Sequence, residues 1–525
     1  MYKRQAYYSF TLKRTTSDIF SFIAFGNDLF RLLPQFLIDF WYIPLIIIAL
    51  IYLSTILYKK LIPQKRATFN YFIQFILFFL GAGLTVISAR GGFQMKPVQM
   101  IDAGRYVSPQ NISIVLNTPF SFFTTLTQPS VELPHYFSEE EVNQNFSPIQ
   151  QIKTTQHFQK KNVIILIMES FGTEYLEQGY MPFLDSLIHQ GLFFKNTFAN
   201  GKRSIDAVPS ILAGLPNLMT TSYIYSPYAG NTINSLPNIL KKEGYYTAFY
   251  HGGNNGTMGF DGFCKTADIE SYVGKNEYPN QTHYDGKWGI FDEPFMQFFA
   301  KDLTTKQTPF MATLFSLSSH HPYTIPSQHQ NRFEKGTLDI HESIGYADYA
   351  LKQFFKTAEK QAWFKNTLFV ITADHTSQSN EKYYQNQIGM FDVPLLFYTP
   401  NDSSLKGISD KIAQQSDIFP SVLSYLNYPN KTISFGNNLF DKKKKTYHLT
   451  YHNNIYQYID NEYIFHFDGQ KALHLYVKND SLLENNIIEK ENLIAEKLTK
   501  KVKYHIQSYF NHLSQNRYFI RKKNN

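Results

Sequence analysis

Cysteine is almost missing from this chain. Its 525 residues include one, Cys264, which excludes an internal disulfide, a cysteine zinc site and a dithiol redox pair. Tryptophan is also scarce, at three residues, but 47 Phe and 37 Tyr bring the hydrophobic share to 43%. That burial potential excludes a disordered or low-complexity chain. Charge of one sign is lacking as well. Fifty Lys and Arg against 42 Asp and Glu leave +8 over the whole length, too mild for a nucleic-acid footprint, and none is expected. There is no internal repeat, and the length allows two to four domains.

What the chain does have is apolar sequence concentrated near its start. Positions 40–58 read FWYIPLIIIALIYLSTILY, 19 residues without a charge. As a helix this run is about 28 Å long, close to the thickness of a bilayer's hydrocarbon core. Positions 69–89 form a second uncharged run of 21 residues. Trp41, Tyr42, Tyr58 and Tyr71 sit near the ends, as interfacial aromatics do. The intervening loop carries Lys59, Lys60, Lys65 and Arg66 and no acid, so the positive-inside rule places it in the cytoplasm. Two transmembrane helices over 40–90 then put everything after Arg90 on the exterior, or periplasmic, face of the cytoplasmic membrane. Residues 1–39 read as an N-terminal amphipathic segment. Their Lys3, Arg4, Lys13 and Arg14 fit an exterior position poorly, and no apolar signal-peptide core follows them. Both features suggest a start inside a longer membrane region.

Residues 91–158 form a proline-rich connector, in which the uncharged stretch ISIVLNTPFSFF is expected to pack on something. Beyond it, short apolar runs alternate with helical segments. The runs at 162–168, 247–251, 309–318, 367–373 and 393–399 read as buried strands. Residues 343–364 read as a helix whose Tyr346, Tyr349, Leu351, Phe354 and Phe355 make a core stripe. The expected architecture over 159–440 is α/β, a mostly parallel sheet sandwiched by helices. From 441 to 525 the pattern changes to antiparallel hairpins, and then to a helix over 483–514 that completes the domain. The lysines at 442–445 read as a solvated turn.

Ligands of parallel sheets bind beyond the strand carboxyl ends, and here those ends carry chemistry. The first strand runs into Glu169-Ser170, the second into His251, the third into His320-His321 and the fourth into Asp374-His375. One carboxylate after a strand is commonly a helix cap; four such ends together point to a site. Glu169, Asp374 and His375 offer two oxygens and one nitrogen, which suits Mn²⁺ or Zn²⁺ better than calcium. A bound dication would activate a hydroxyl, and Ser204 at a helix start is a candidate, although it could equally be a simple N-cap. Lys202 and Arg203 could assist a phosphate or merely line a solvent-facing turn.

Glu-Ser after the first strand, GKRS at a helix start, SSHHP and TADH together resemble the lipoteichoic acid synthase family. Those enzymes are phosphoglycerol transferases of the sulfatase-like alkaline phosphatase superfamily. The resemblance covers roughly 160–440 and extends to FYHGGNNGTMGFDGF and QSDIFPSVLSYL. It implies one divalent ion, Mn²⁺ with Zn²⁺ or Mg²⁺ as alternatives, held by Glu169, Ser204, Asp374 and His375. Ser204 takes the nucleophile's place, where the best-known members have threonine. His251, Trp288 and His320, with His321 adjacent, match positions lining the headgroup pocket, and His320 is a candidate for proton transfer. Some members carry a basic residue two places after the tryptophan, where this chain has Ile290. The implied activity is transfer of glycerophosphate from phosphatidylglycerol, through a covalent Ser204 intermediate, to a polysaccharide, glucan or lipid acceptor.

Two rivals use the same fold. Sulfatases carry a Cys/Ser-x-Pro-x-Arg signature, and here Asp206 and Val208 stand in place of its proline and arginine. Phosphoethanolamine transferases typically carry exterior disulfides, which a single cysteine cannot form. A catalytically silent binding module is a third reading, opposed by the intact Glu169, Ser204, Asp374 and His375.

Overall fold

A computed structural model describes residues 41–61, 70–90, 92–93, 98, 115–126, 133–151 and 156–520. Residues 1–39, the expected amphipathic segment, lie outside the described residues. The chain divides into two compact units.

The first unit contains helices α1 (Tyr42–Leu61), α2 (Tyr71–Arg90) and α3 (Thr118–Leu126). In α1 and α2, 18-residue apolar windows are long and apolar enough to cross a membrane, and none of either window is buried in protein.

The second unit is built on an eight-stranded sheet in the order β5-β4-β6-β2-β7-β8-β3-β9. Its strands are β2 (Asn162–Met168), β3 (Leu192–Phe198), β4 (Tyr246–His251), β5 (Ser271–Val273), β6 (Phe310–Phe315), β7 (Thr367–Ala373), β8 (Leu395–Tyr398) and β9 (Gly407–Gln414). A preceding short strand, β1 (Ile149–Gln151), pairs with β10 (Lys431–Ile433) and joins the end of the expected connector to this unit. β8 alone opposes its neighbours β7 and β3; the other seven strands run one way.

The apolar run of β2 fits a strand covered on both faces. Val163, Ile165 and Ile167 enter one core cluster, while Ile164, Leu166 and Met168 enter the other. The first core is closed by α5 (Ser204–Ala213), α8 (Ile418–Tyr425) and α9 (Asn492–Ser514). The second is closed by α4 (Pro182–Ile188), α6 (Asp292–Leu303) and α7 (Ile340–Ala358). Tyr346, Leu351, Phe354 and Phe355 of α7 are buried there as the stripe predicted, and Tyr349 is half-buried under Arg332.

A four-stranded antiparallel sheet follows: β11 (His448–His452), β12 (Ile455–Ile459), β13 (Tyr463–Phe467) and β14 (Ala472–Val477). α9 begins at Asn492 rather than near 483. The intervening backbone is claimed by side chains instead. Asp480 accepts from the amides of Glu484 and Asn485, and Asn486 from those of Leu475 and Ile488. Such local side-chain bonds compete with helix.

Candidate metal and nucleophile site

β2 and β7 are parallel neighbours with Met168 opposite Ala373, so Glu169 and Asp374 leave the sheet side by side. The turn after β2 is set by Ser170, at φ 60°. Its amide donates to Asp374 Oδ1 at 2.8 Å and its hydroxyl to Glu169 Oε1 at 2.9 Å. The Glu169 amide is held by Ser316 Oγ at 2.8 Å, at the end of β6. Asp374 Oδ1 also accepts from the His375 amide at 2.7 Å. Asp374 Oδ2, by contrast, is buried and accepts no hydrogen bond; His375 Nε2 lies 3.1 Å away. His375 Nδ1 is 2.8 Å from the Thr376 carbonyl. A carbonyl only accepts, so Nδ1 carries the proton and a neutral ring presents a bare Nε2 to the site.

Ser204 comes from the turn after β3. Its Oγ lies 3.2 Å from Glu169 Oε2 and 3.2 Å from His375 Nε2. It is therefore no N-cap: that position belongs to Arg203, and α5 starts without a side-chain cap. The turn is tightly built. A Cβ on Gly201 would stand 2.5 Å from Asp206 Cβ, so a larger residue would displace the helix start. The small sheet supports the same turn, through His448 Nε2 to the Ala199 carbonyl at 3.0 Å and Thr450 Oγ1 to the Asn200 carbonyl at 3.0 Å.

Ligand atoms of Glu169, Asp374 and His375 lie within 4.8 Å of one another. One hydroxyl proton from Ser204 can serve only one of the acceptors around it. Burial, reinforced by Asp374, pushes the Glu169 carboxyl well above its usual range. Lys202 does not neutralise this pair: its ammonium reaches the Thr376 carbonyl at 3.2 Å, the Thr376 hydroxyl and the Met390 carbonyl at 2.8 Å. Burial lowers Lys202 to about 8, against a smaller upward pull from Asp374. Arg203 pairs with Asp206 at 3.0 Å. Lys202 is thus tied internally, which neither reading of the sequence expected, while Arg203 is exposed and paired with Asp206. Two buried carboxylates, an orphaned oxygen and a bare imidazole nitrogen fit a divalent cation of the Mn²⁺ or Zn²⁺ type.

Beside this cluster, His251 is buried, with Nδ1 3.1 Å from the Phe315 carbonyl. Burial lowers it to about 4, so it is neutral near pH 7 and offers Nε2 as an acceptor. Gly253 is needed here, because its Cβ would fall 2.7 Å from that nitrogen. Trp288 packs against His320 with ring centroids 3.9 Å apart and the rings tilted by 49°, and its indole donates to the His321 carbonyl at 2.7 Å. His320 is itself half-buried and His321 exposed. Ile290 is fully buried in the apolar core, so the position two places after Trp288 faces inward.

Sequence reading missed three residues that hold these loops. Asp292 receives the amides of Leu317 and Ser318 at 2.9 and 3.0 Å, fixing the backbone before His320. Gln415 donates to the carbonyls of Ala373 and Asp374 and accepts from the Asn200 amide, tying the nucleophile turn to the β7 end. Thr376 receives Lys202. The one available signal is QSDIFP, which in the sequence serves only to extend the resemblance.

A strand-end carboxylate pair, a neighbouring His and a helix-start hydroxyl on this sheet define a class. The chain belongs to the sulfatase family, whose model matches residues 161–428, and its fold is that of the alkaline phosphatase superfamily. It is similar to lipoteichoic acid synthase 1 of Bacillus subtilis, at 27% identity over 340 residues, covering 55% of this chain and 51% of that protein. It is similar also to the lipoteichoic acid synthase of Staphylococcus aureus strain USA300, at 25% over 319 residues, or 54% and 48% of the two chains. The chain thus spans about half the length of the curated relatives it matches. Among solved structures, a Vibrio parahaemolyticus protein of the alkaline phosphatase superfamily superposes with TM-score 0.63 at 20% identity, covering 82% of this chain and 98% of that one. The lipoteichoic acid synthase LtaP of Listeria monocytogenes gives 0.61 at 17%, covering 72% and 98%. These likenesses show the fold.

Proposed function

We propose that this protein is a membrane-anchored phosphoglycerol transferase that takes glycerophosphate from phosphatidylglycerol and passes it to an envelope acceptor. The observation that carries this reading is Ser204 Oγ, set 3.2 Å from both Glu169 Oε2 and His375 Nε2. The names of the similar Bacillus and Staphylococcus proteins support the substrate class.

In this reading Glu169, Ser204, Asp374 and His375 hold one divalent ion, with Mn²⁺ preferred. Its contribution is to lower the pKa of the Ser204 hydroxyl and to screen negative charge on the phosphoryl group. Ser204 Oγ forms the new bond to phosphorus as the bond to the diacylglycerol oxygen breaks, and the departing oxygen takes a proton. An acceptor hydroxyl then attacks the glycerophosphoryl serine, loses its proton and releases Ser204. His320 carries a proton in these exchanges, the role imidazoles most often take in acid–base catalysis. Neutral His251 accepts from a glycerol hydroxyl, and Trp288 with His320 and His321 borders the headgroup. Acceptors are a polysaccharide, a glucan or a lipid. The basic loop between α1 and α2 is cytoplasmic, which places the catalytic unit outside, next to its lipid.

The test uses the full chain in vesicles with fluorescent phosphatidylglycerol and Mn²⁺. Diacylglycerol should be released, and Ser204→Ala should reduce this on the order of 10³-fold or more without altering thermal stability. Release from phosphatidylethanolamine instead would move the activity to phosphoethanolamine transfer. No release from either lipid by ion-loaded protein would leave ester hydrolysis, the general sulfatase-family chemistry, as the better reading.

A further inference from the structure

The charge-free middle of the connector has a structure that the catalytic reading does not use. No Asp, Glu, Lys, Arg or His occurs between Arg105 and Glu132. Within this stretch α3 runs from Thr118 to Leu126 with sequence TPFSFFTTL. Phe120 and Phe122 are half-buried, but its most buried and most exposed positions are inverted relative to a helix on a soluble surface. Ser121 is fully buried, whereas Phe123 and Leu126 are 66% and 42% exposed. Pro119 is exposed as well. Positions 119, 123 and 126 follow the i, i+4, i+7 spacing that puts side chains on one helical face.

Two polar groups in and before α3 bond within the segment. Asn117 Oδ1 accepts from the Phe120 amide at 2.8 Å, covering the helix start. The Thr124 hydroxyl donates to the Phe120 carbonyl of its own helix. The outward face therefore presents rings and methyl groups with no charge nearby. Nine residues reach only about 14 Å, too short to cross a bilayer core of roughly 30 Å. The helix belongs to the same compact unit as α1 and α2, the two helices long and apolar enough to cross a membrane.

We infer that α3 is an in-plane membrane helix, whose Pro119, Phe123 and Leu126 face is immersed at the boundary between headgroups and acyl chains. The partner is the lipid surface itself. With no basic residue on the segment, attachment is apolar rather than electrostatic, so it is indifferent to salt and to the anionic lipid fraction.

Depth measurement by electron paramagnetic resonance tests this on the full chain in phosphatidylcholine vesicles. Phe123→Cys, Leu126→Cys and Thr124→Cys are spin-labelled singly; Cys264 is buried and is replaced by alanine. Glu140→Cys, at an exposed site on the catalytic unit, is the aqueous control. Labels at 123 and 126 should show an oxygen-to-nickel-chelate accessibility ratio several-fold above that at 140. The label at 124 should fall between them. High salt or added phosphatidylglycerol should change none of these values. Chelate access at 123 equal to that at 140 would overturn the inference. So would spin–spin broadening at 123 that disappears on dilution with unlabelled protein, which would make a second copy the occupant.

Discussion

Lys202 is the residue whose sequence context misleads most. Next to a nucleophile candidate it suggests a phosphate ligand, yet all three acceptors of its ammonium belong to the protein. It is a positioning residue that links the turn before Ser204 to the loop after His375. Lys202→Met should lower kcat by roughly 10–10²-fold, as a small displacement of a nucleophile does, while leaving KM for the lipid unchanged; steady-state diacylglycerol release would show the split. Asp292 acts at longer reach. Burial pushes it up to about 6, against the pull of the amides it binds. Its folded value lies above its unfolded one, so the folded state keeps a proton that the unfolded chain has lost between about pH 4 and 6. Its ionisation thus costs stability as pH rises through that window, and the cost is constant above it. Asp292→Asn should remove this slope from a plot of melting temperature against pH. At pH 7 the variant should lose about 1–3 kcal/mol, because an amide side chain cannot satisfy both clamped N–H groups. Glu169, Asp374 and His375 were legible because each ends an apolar run. The partners of Lys202 and Gln415 were not. Thr376 is 174 residues from Lys202, and Asn200 is 215 from Gln415; no local pattern records such pairings.

Among the elements, the five strands read from continuous apolar runs are all present. β3 and β9 escaped that reading because both are covered unevenly. β3 exposes Lys195 in its middle, and the first half of β9 is largely open to solvent as the edge of the sheet. The reversed direction of β8 also left no trace in a four-residue strand buried throughout. The Ser204 helix ends where its sequence says. Gly214 takes φ 61° at the C-cap of α5, and a Cβ there would meet Ser434 Oγ at 2.1 Å and Phe419 at 2.8 Å. Left-handed backbone and close packing both require glycine. Gly214→Ala should therefore destabilise the catalytic unit by on the order of 1–3 kcal/mol, seen as an earlier midpoint in urea. An unchanged midpoint would show that the αL position is not under constraint. The small antiparallel sheet was legible as hairpins; that two of its side chains support the Asn200 turn was not.

For the molecule as a whole, buried ionisable groups pull stability in opposite directions over one pH range. Burial raises Asp348, Asp392 and Asp417 to about 6, 7 and 7, so each lowers stability as pH climbs from about 4 to its folded value. Burial lowers His448, His466 and His505 to about 4. Each of these raises stability over the climb from about 4 to 6.5, where the unfolded chain alone binds the proton. With Asp292 and His251, four slopes of each sign nearly cancel. The midpoint of unfolding should be flat between about pH 4.5 and 6.5 and fall slightly toward 7. His466→Gln should expose a net slope near 1.4 kcal/mol per pH unit, measurable by urea titration at two pH values. The sheet order has a further consequence, for a chain made from its N-terminus. β3 lies between β8 and β9, strands that emerge some 200 residues after it. β2 likewise waits for β6 and β7. β2 and β3 thus have no early neighbour to pair with, whereas β4 and β5 can pair as soon as both are made. Ser204, carried just beyond β3, is set in place only when the chain past Gln414 has arrived, so the candidate centre is assembled late in synthesis.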